Sequence, residues 1–522
     1  MLPVHTKQGV VFHKPRRRVV AVAILLFVFL LTLSLSSRRS GHESVQVGEM
    51  LVDKPPSLDK PSHSEGFKPT SSDPNRPTTI PTPQAFALDK LHFLNGKPTG
   101  AFRGRSYVRR STPSTWILNS ELVSLKKDNL KPDLKYVTTW NYAGMTNDVM
   151  VLMNLIYLGM HSNRTPILFP LAGSEDHLGR GPETLGAGNV FDLPRLSQAI
   201  GHQVLDWQDV KRGRYNLPWG GEDYNAHDDD ELVGCWSIYQ TLSAEKKPLD
   251  REMPHFLHLD VQYTGVPLSV EFTKLGTGQT SFKLLSHLLS STGRSEALSA
   301  QLPLPTWGKR PLPPTTPFPE PDDQLACFDN LYWVWSEEYW EWEKYPSPTW
   351  HAVGVHMHFT KEVDEIASKY LRMVFGLKED EQVPPFISIH ARHGDFKNLC
   401  QNSKDLTSCY PPLMEFSRHV QDVAAELSRI NGPDSPLAKV TEVVVTSDES
   451  DPEWWKEVER MGWRHLKSYE SEIAQRYGKW YPTILDSVVQ SRGAGFIGTK
   501  LSTMSIIAAR RVIDWNNGPW RL

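Results

Sequence analysis

The second half of the chain constrains the fold most. From Phe359 to Trp515, segments of helical periodicity alternate with short apolar runs, and the runs end in charged or hydroxyl-bearing residues. Phe359–Phe375 carries one apolar face at helical spacing. After Pro384 and Pro385, the apolar Phe386, Ile387 and Ile389 predict a buried strand. Pro411–Ile430 is again helical, Val440–Asp451 is a strand ending in acids, and Pro452 suits the first turn of a helix. Thr483–Gln490 is a further helix. Gly493–Gly498 reads as a short buried strand, Thr499–Leu501 as a turn and Ser502–Ile513 as a helix. Strands alternating with helices predict a parallel, doubly wound sheet.

A similar unit opens at Tyr136. Tyr136–Trp140 reads as a strand, Gly144 as a turn, and Asn147 and Asp148 stand near a helix start. Val149, Met150, Met153, Ile156, Tyr157 and Met160 recur at helical spacing, and Thr165–Phe169 is the next strand. The methionine stripe is core packing. An α/β protein with two Rossmann-like lobes and a cleft between them is expected, with lobes at 134–350 and 351–522. The stretch Leu171–Trp350 is harder to read. Leu302–Gln324 holds too many prolines for a helix or a central strand. Asp228–Glu231 contains an Asp-x-Asp pattern that can hold a metal-bound diphosphate. Its polar surroundings and the lack of a preceding strand point instead to a solvated loop.

The N-terminus bears on compartment. Val19–Leu35 is uncharged and apolar, and as a helix it spans roughly 26 Å, enough for a thin secretory membrane. Lys7, Lys14 and Arg16 to Arg18 precede it, so residues 1–18 are expected in the cytosol and the bulk of the chain in the lumen. A cleaved signal peptide is the rival, but the run is long and SLSSRRS lacks a small-x-small cleavage site. The expectation is a single-pass type II membrane protein of the Golgi or endoplasmic reticulum. Residues 36–133, rich in Pro, Ser and Thr, read as a disordered stem. The net charge of -3 gives no reason to expect nucleic-acid binding. None of the four cysteines has zinc-site spacing. In an oxidising lumen Cys400 and Cys409 are expected to pair, which leaves Cys235 with Cys327. Asn163-Arg164-Thr165 is an N-glycosylation sequon.

Three loops are expected to gather at strand ends of the second lobe, where α/β sheets bind ligands. One carries His390, Arg392 and Asp395, with Arg392 suited to a diphosphate through its planar fork of donors. A second carries Asp448 and Glu449, where a carboxylate can accept hydrogen bonds from guanine or a ribose diol, or cap the helix that follows. The third places Ser502, Thr503 and Ser505 at a helix start, where free N–H groups favour phosphate and where a plain cap is equally suited. Two rivals share these residues. Arg392-His393-Gly394 matches the core of the histidine-phosphatase motif, but Asp395 and Phe396 follow where that motif has a second arginine. A metal-dependent glycosyltransferase would use Asp448, Glu449 or Asp451 as ligands.

With these motifs the chain resembles the GDP-fucose O-fucosyltransferase superfamily. The resemblance rests on HARHGD (His390–Asp395), VVVTSDE (Val443–Glu449) and GFIGTKLSTMS (Gly495–Ser505), and on YAGMTND (Tyr142–Asp148) as the first loop, with Gly144 and Asn147. It implies a GT-B fold, GDP-fucose held by the C-terminal lobe, inversion at the sugar, no metal and no cofactor. It implies that Arg392 contacts the diphosphate and stabilises the departing GDP, that Asp448 serves nucleotide recognition, and that Ser502, Thr503 and Ser505 bind phosphate. The acceptor is a hydroxyl of a protein or glycan. Ala143-Gly144-Met145 offers no carboxylate base, so a lectin-like or scaffolding protein that keeps the fold without turnover is the alternative.

Overall fold

The structure, a computed structural model, describes residues 117–118, 129–140, 143–171, 184–211, 230–238, 253–270, 280–300, 306–308, 317–336, 341–343, 347–400 and 409–522. The expected anchor and most of the expected stem lie outside them. Among the described residues no helix is long and apolar enough to cross a membrane.

Two parallel sheets organise the unit Gly96–Leu522. The first holds β1 (Tyr136–Thr139), β2 (Thr165–Leu168), β3 (Leu205–Asp206), β4 (Glu231–Ser237), β5 (Leu259–Gly265), β7 (Thr306–Gly308) and β8 (Leu325–Phe328). Their order is β3-β2-β1-β8-β4-β5-β7, and only β7 runs antiparallel to its neighbour. A small parallel pair, β6 (Thr280–Ser281) with β9 (Val334–Trp335), stands beside it. The second sheet is all parallel, ordered β12-β11-β10-β13-β14. Its strands are β10 (Phe386–Ala391), β11 (Glu442–Ser447), β12 (Arg464–His465), β13 (Gly495–Gly498) and β14 (Trp520–Arg521).

The helices that matter for the site are α1 (Met145–Ser162), α2 (Leu193–Ile200), α3 (Lys361–Phe375), α4 (Leu413–Asn431), α5 (Pro452–Arg460), α6 (Tyr481–Arg492) and α7 (Thr503–Asn516). Strand β10 shows why the second sheet is covered on both faces. Ile387 and Ile389 point into one core with Phe416, Val423 and Leu427 of α4. Ser388, on the opposite face, donates to Gln490 O of α6 at 2.8 Å. The core of the first lobe continues into Val488, Val489 and Ile507 of α6 and α7, so the two lobes share apolar packing.

Each sheet reverses its order next to its first strand. In the second sheet the reversal lies between β10 and β13, and in the first between β1 and β8. Loops at such switch points splay apart and leave a crevice at the strands' carboxyl ends.

Both disulfides form as expected. Cys400 and Cys409 have Cα atoms 5.7 Å apart, and Cys235 on β4 joins Cys327 on β8 with Cα atoms 4.8 Å apart. Two expectations need correction. The folded region begins before residue 134: Ile117 bridges Leu130, both are buried, and Leu118 N–H donates to Asn129 O at 2.7 Å. The acidic run is not wholly a solvated loop. Asp230 is buried, and Glu231 opens β4, where its carboxylate meets Lys211 Nζ at 3.3 Å. Asp228 and Asp229 lie outside the described residues. Asn163 of the sequon is exposed as the left-handed cap of α1, while Arg164 and Thr165 are buried.

Candidate functional site

The two switch points open onto one cleft of about 590 Å³. Its first-lobe wall includes Gly144, Asn147 and, from the segment after β8, Tyr332. Its second-lobe wall includes His390, Arg392, Asp395, Asp448, Ser502 and Thr503. All the expected site residues therefore line one space except Ser505, which lies just behind His390.

The register of β10 places Arg392. Its backbone N–H donates to Thr499 Oγ1 at 2.9 Å, and Thr499 Oγ1 donates to His390 O at 3.2 Å, so the loops after β10 and β13 are tied together. The guanidinium binds two carboxylates, Asp395 at 2.6 Å and Asp448, and lies over the Phe396 ring. Asp448 also accepts the His393 N–H at 2.7 Å. Its approach requires Gly394: a Cβ there would stand 2.2 Å from Asp448 Oδ2.

His390 is buried, and its Nδ1 lies 2.8 Å from Ser505 Oγ. Burial, with the Arg392 and His393 charges adding to it, pushes its pKa down to about 3, so the ring is neutral. Ser505 Oγ also accepts the Thr499 N–H at 3.0 Å and has its own hydrogen to offer Nδ1. In the tautomer that accepts this hydrogen the ring proton is on Nε2, where the neutral imidazole is a donor. Ser502 caps α7, accepting the Ser505 N–H at 3.4 Å. Leu501, just before it, is held at φ 68°, a strained position for a branched side chain at the rim of the cleft. Thr503 Oγ1 donates to Asn147 Oδ1 at 2.9 Å, linking the lobes across the cleft.

Other acids have local duties. Asp148 is buried and its Oδ1 accepts the Ala143 N–H at 3.1 Å, which shapes the first loop. Glu449 accepts the Ser450 and Asp451 N–H groups and meets His393 Nδ1 at 2.9 Å, while Asp451 caps α5. Among the described residues there is no group of three or more His, Cys, Asp or Glu placed to hold a metal ion. His393 is buried, stacked 4.3 Å from Tyr410 with Trp454 at its edge. A phosphatase nucleophile must reach its substrate, and this ring does not line the cleft.

Sequence reasoning missed Asp486. This α6 carboxyl lines the cleft, and no hydrogen bond to it is seen among the described residues. Burial, with Glu470 and Asp448 adding to it and Lys467 opposing, raises its pKa to about 8. Beside it Leu466, Ile473 and Trp480 form an apolar slot. The signal was present: one acid stands among Ile484, Leu485, Val488 and Val489 on a helix with buried neighbours.

No protein-family model matches the chain, and no curated protein matches it in sequence. Solved structures do align. POFUT1 in complex with GDP-fucose is 12% identical over 74% of this chain and 96% of its own, with a TM-score of 0.43. NodZ alpha-1,6-fucosyltransferase co-crystallised with GDP is 10% identical over 72% of this chain and 91% of its own, with a TM-score of 0.32. Fucosyltransferase NodZ from Bradyrhizobium is 11% identical over 72% and 92%, with a TM-score of 0.31.

Proposed function

We propose that this chain is an inverting, metal-independent glycosyltransferase of GT-B type that moves fucose from GDP-fucose to a hydroxyl of a protein or glycan. The observation that carries this reading is the convergence of Arg392, His390 and the hydroxyl-capped start of α7 on one cleft, opposite Asn147. These are cationic and neutral donors, and their geometry suits a diphosphate. The nucleobase takes the apolar slot at Leu466, Ile473 and Trp480. There Asp486, once ionised, accepts the two adjacent N–H donors of a guanine edge. The acceptor enters from the side of Asn147 and Tyr332.

In the reaction the acceptor hydroxyl oxygen bonds to the anomeric carbon while the bond from that carbon to the β-phosphate oxygen breaks, and the hydroxyl proton passes to water. The bonding electrons pass to the phosphate oxygen, and the Arg392 guanidinium stabilises that charge as it grows. Arg392 must first exchange at least one of its carboxylates for the diphosphate. The test is GDP release from GDP-fucose by the full chain, with UDP-fucose and GDP-mannose as controls and with EDTA present. Release specific to GDP-fucose and insensitive to EDTA is expected. Loss on chelation with rescue by manganese would replace this mechanism with a metal-assisted one. For location, we propose a luminal catalytic domain behind an uncleaved Val19–Leu35 anchor. Protease digestion of the C-terminal region in intact microsomes would refute it.

A further inference from the structure

A second cavity, of about 540 Å³, lies at the other end of the second sheet, where Pro384, Pro385 and Phe386 lead into β10. The cleft described above is at the carboxyl ends of the strands, so the two are separate. This cavity sits at the junction of the lobes. Arg195 comes from α2 of the first lobe, Arg492 and Trp515 come from α6 and α7, and His358 and Phe359 come from the connection between them. That connection is knitted to the first lobe by Asp192 N–H to His358 O at 3.0 Å and Thr360 N–H to Val190 O at 2.8 Å.

Positive charge is in excess here. Arg492 is paired with one carboxylate, Asp364, at 2.8 Å. Arg195 is exposed and forms no ion pair among the described residues. Behind the aromatic wall Arg511 is fully buried, 4.6 Å from the Phe359 ring and 5.3 Å from Trp515. Arg511 donates to Ser487 Oγ at 2.8 Å, has no carboxylate partner among the described residues, and its Nε is left without a hydrogen bond. The carboxylates nearby are Asp364 and Asp192, and Asp192 already accepts its own helix's Arg195 N–H. Two guanidiniums, Arg195 and Arg492, thus line the cavity with one carboxylate, Asp364, while Arg511 adds its charge from behind the wall. The imidazole of His358, stacked 4.2 Å from Trp515, reports the same field: burial first, then Arg195 and Arg511, push its pKa down to about 4. Guanidiniums that outnumber the carboxylates lining a cavity leave N–H donors to an oxyanion, and the positive field of Arg511 behind them favours negative charge there.

We propose that this cavity is a second ligand site, for a small organic oxyanion of two or more negative charges that bridges Arg195 of one lobe and Arg492 of the other. The volume exceeds that of a bare anion, and the Phe359 and Trp515 rings give the organic body an apolar wall. Because the ligand would touch both lobes where they join, its occupancy would favour one setting of the cleft. Phosphate and carboxylate ligands share the chemistry that these guanidiniums recognise.

The experiment is calorimetric titration of the full chain with inorganic pyrophosphate and, separately, with citrate. Each is run on the wild type, on Arg392→Ala, which is expected to lose pyrophosphate binding to the nucleotide cleft, and on Arg195→Ala and Arg195→Glu made in that Arg392→Ala background. Arg195 is exposed on α2, so these variants should keep the fold, and thermal melts check it. Binding of at least one probe to Arg392→Ala, weakened at least tenfold by Arg195→Ala and abolished by Arg195→Glu, is expected. Pyrophosphate alone binding points to phosphorylated ligands, and citrate alone to carboxylates. Absence of binding of either probe to a folded Arg392→Ala, or an Arg195→Ala change that leaves the titrations of Arg392→Ala unaltered, would overturn the proposal. Failure of GDP release would leave this result standing, because the site does not rest on the transferase reading.

Discussion

Replacing Arg392 separates folding from turnover. Its guanidinium holds Asp395 and Asp448, whose side chains are 64% and 30% exposed. Such half-solvated pairs contribute about 0–1 kcal/mol each. Asp448 keeps the His393 N–H when the arginine is gone, and Asp395 turns to water, so neither carboxylate is stranded. The cost of Arg392→Ala to folding should therefore be about 1 kcal/mol. In the transition state the same guanidinium faces charge that is absent from the ground state, and loss of one such donor costs about 2.7–4 kcal/mol, or 10²–10³ in turnover. Arg392→Lys keeps the charge, but one ammonium cannot reproduce the planar fork that holds a carboxylate and a phosphate at once, so it should fail nearly as badly. The assay is GDP release from GDP-fucose by wild type and both variants, with thermal melts alongside. A folded Arg392→Ala that turns over like the wild type would refute the mechanism.

Gly394→Ala places a methyl group 2.2 Å from Asp448 Oδ2, so Asp448 must move and release both Arg392 and the His393 N–H; GDP affinity should fall at least tenfold, as read by calorimetry, with a smaller loss in melting temperature. His393→Ala removes a buried ring stacked on Tyr410 and paired with Glu449, and should cost about 2–4 kcal/mol in denaturant unfolding, as for other buried aromatic truncations; a wild-type melt would show that the stack contributes nothing. Asp486, with its pKa raised to about 8, binds its proton more tightly in the folded protein than at the unfolded value of 3.8. Its folded-state penalty is therefore absent below pH 3.8, grows as pH rises, and is complete above about 8, so Asp486→Asn should raise the melting temperature most at alkaline pH. If the carboxylate accepts guanine N–H groups, GDP should bind the wild type more tightly as pH rises from 6 to about 8, and Asp486→Asn should bind weakly with a flat profile.

Much of the site could be read from the chain because its parts are contiguous there. His390 to Asp395, Asp448 and Ser502 to Ser505 each follow a strand of one parallel sheet, and parallel strands deliver their trailing loops to one edge. What could not be read is how the side chains pair once there. His390 meets Ser505, and Arg392 meets Asp448, only because β10 lies between β11 and β13 in a particular register. Local pattern does not encode that register. For the same reason His393, three residues from the most promising histidine, turned out to face Tyr410 and Glu449 instead of the cleft. Alternation along the loop separates the two rings, one toward α7 and one toward α5.

The first lobe was harder to read for a different physical reason. Its strands β4 and β5 are buried, yet they are not apolar runs. Polar atoms are admissible in a buried strand when another segment supplies their partners. Ser237 Oγ donates to Asp329 at 2.6 Å, and Gln262 Nε2 donates to Asp260 at 3.0 Å. Gly234 stands in β4 because the chain at Glu320 passes so close that a Cβ would lie 2.0 Å from its carbonyl oxygen. That contact comes from Leu302–Gln324, the proline-rich segment that reads as neither helix nor central strand. Asp329 and Glu320 lie tens of residues from their partners in β4, whereas β5 alternates apolar Leu259, Val261 and Tyr263 with polar residues that are buried, Asp260 and Gln262 pairing within the strand, so its polar face does not mark a solvated side. The same arrangement ends next to the site: Asp329 follows β8, accepts the Ile238 N–H at 2.9 Å, and stands three residues before Tyr332 of the cleft. The polar pairs that hide these strands from sequence reading therefore also hold the first-lobe switch point in position, and a change at Ser237 or Asp329 is expected to reach the acceptor side of the cleft through that loop.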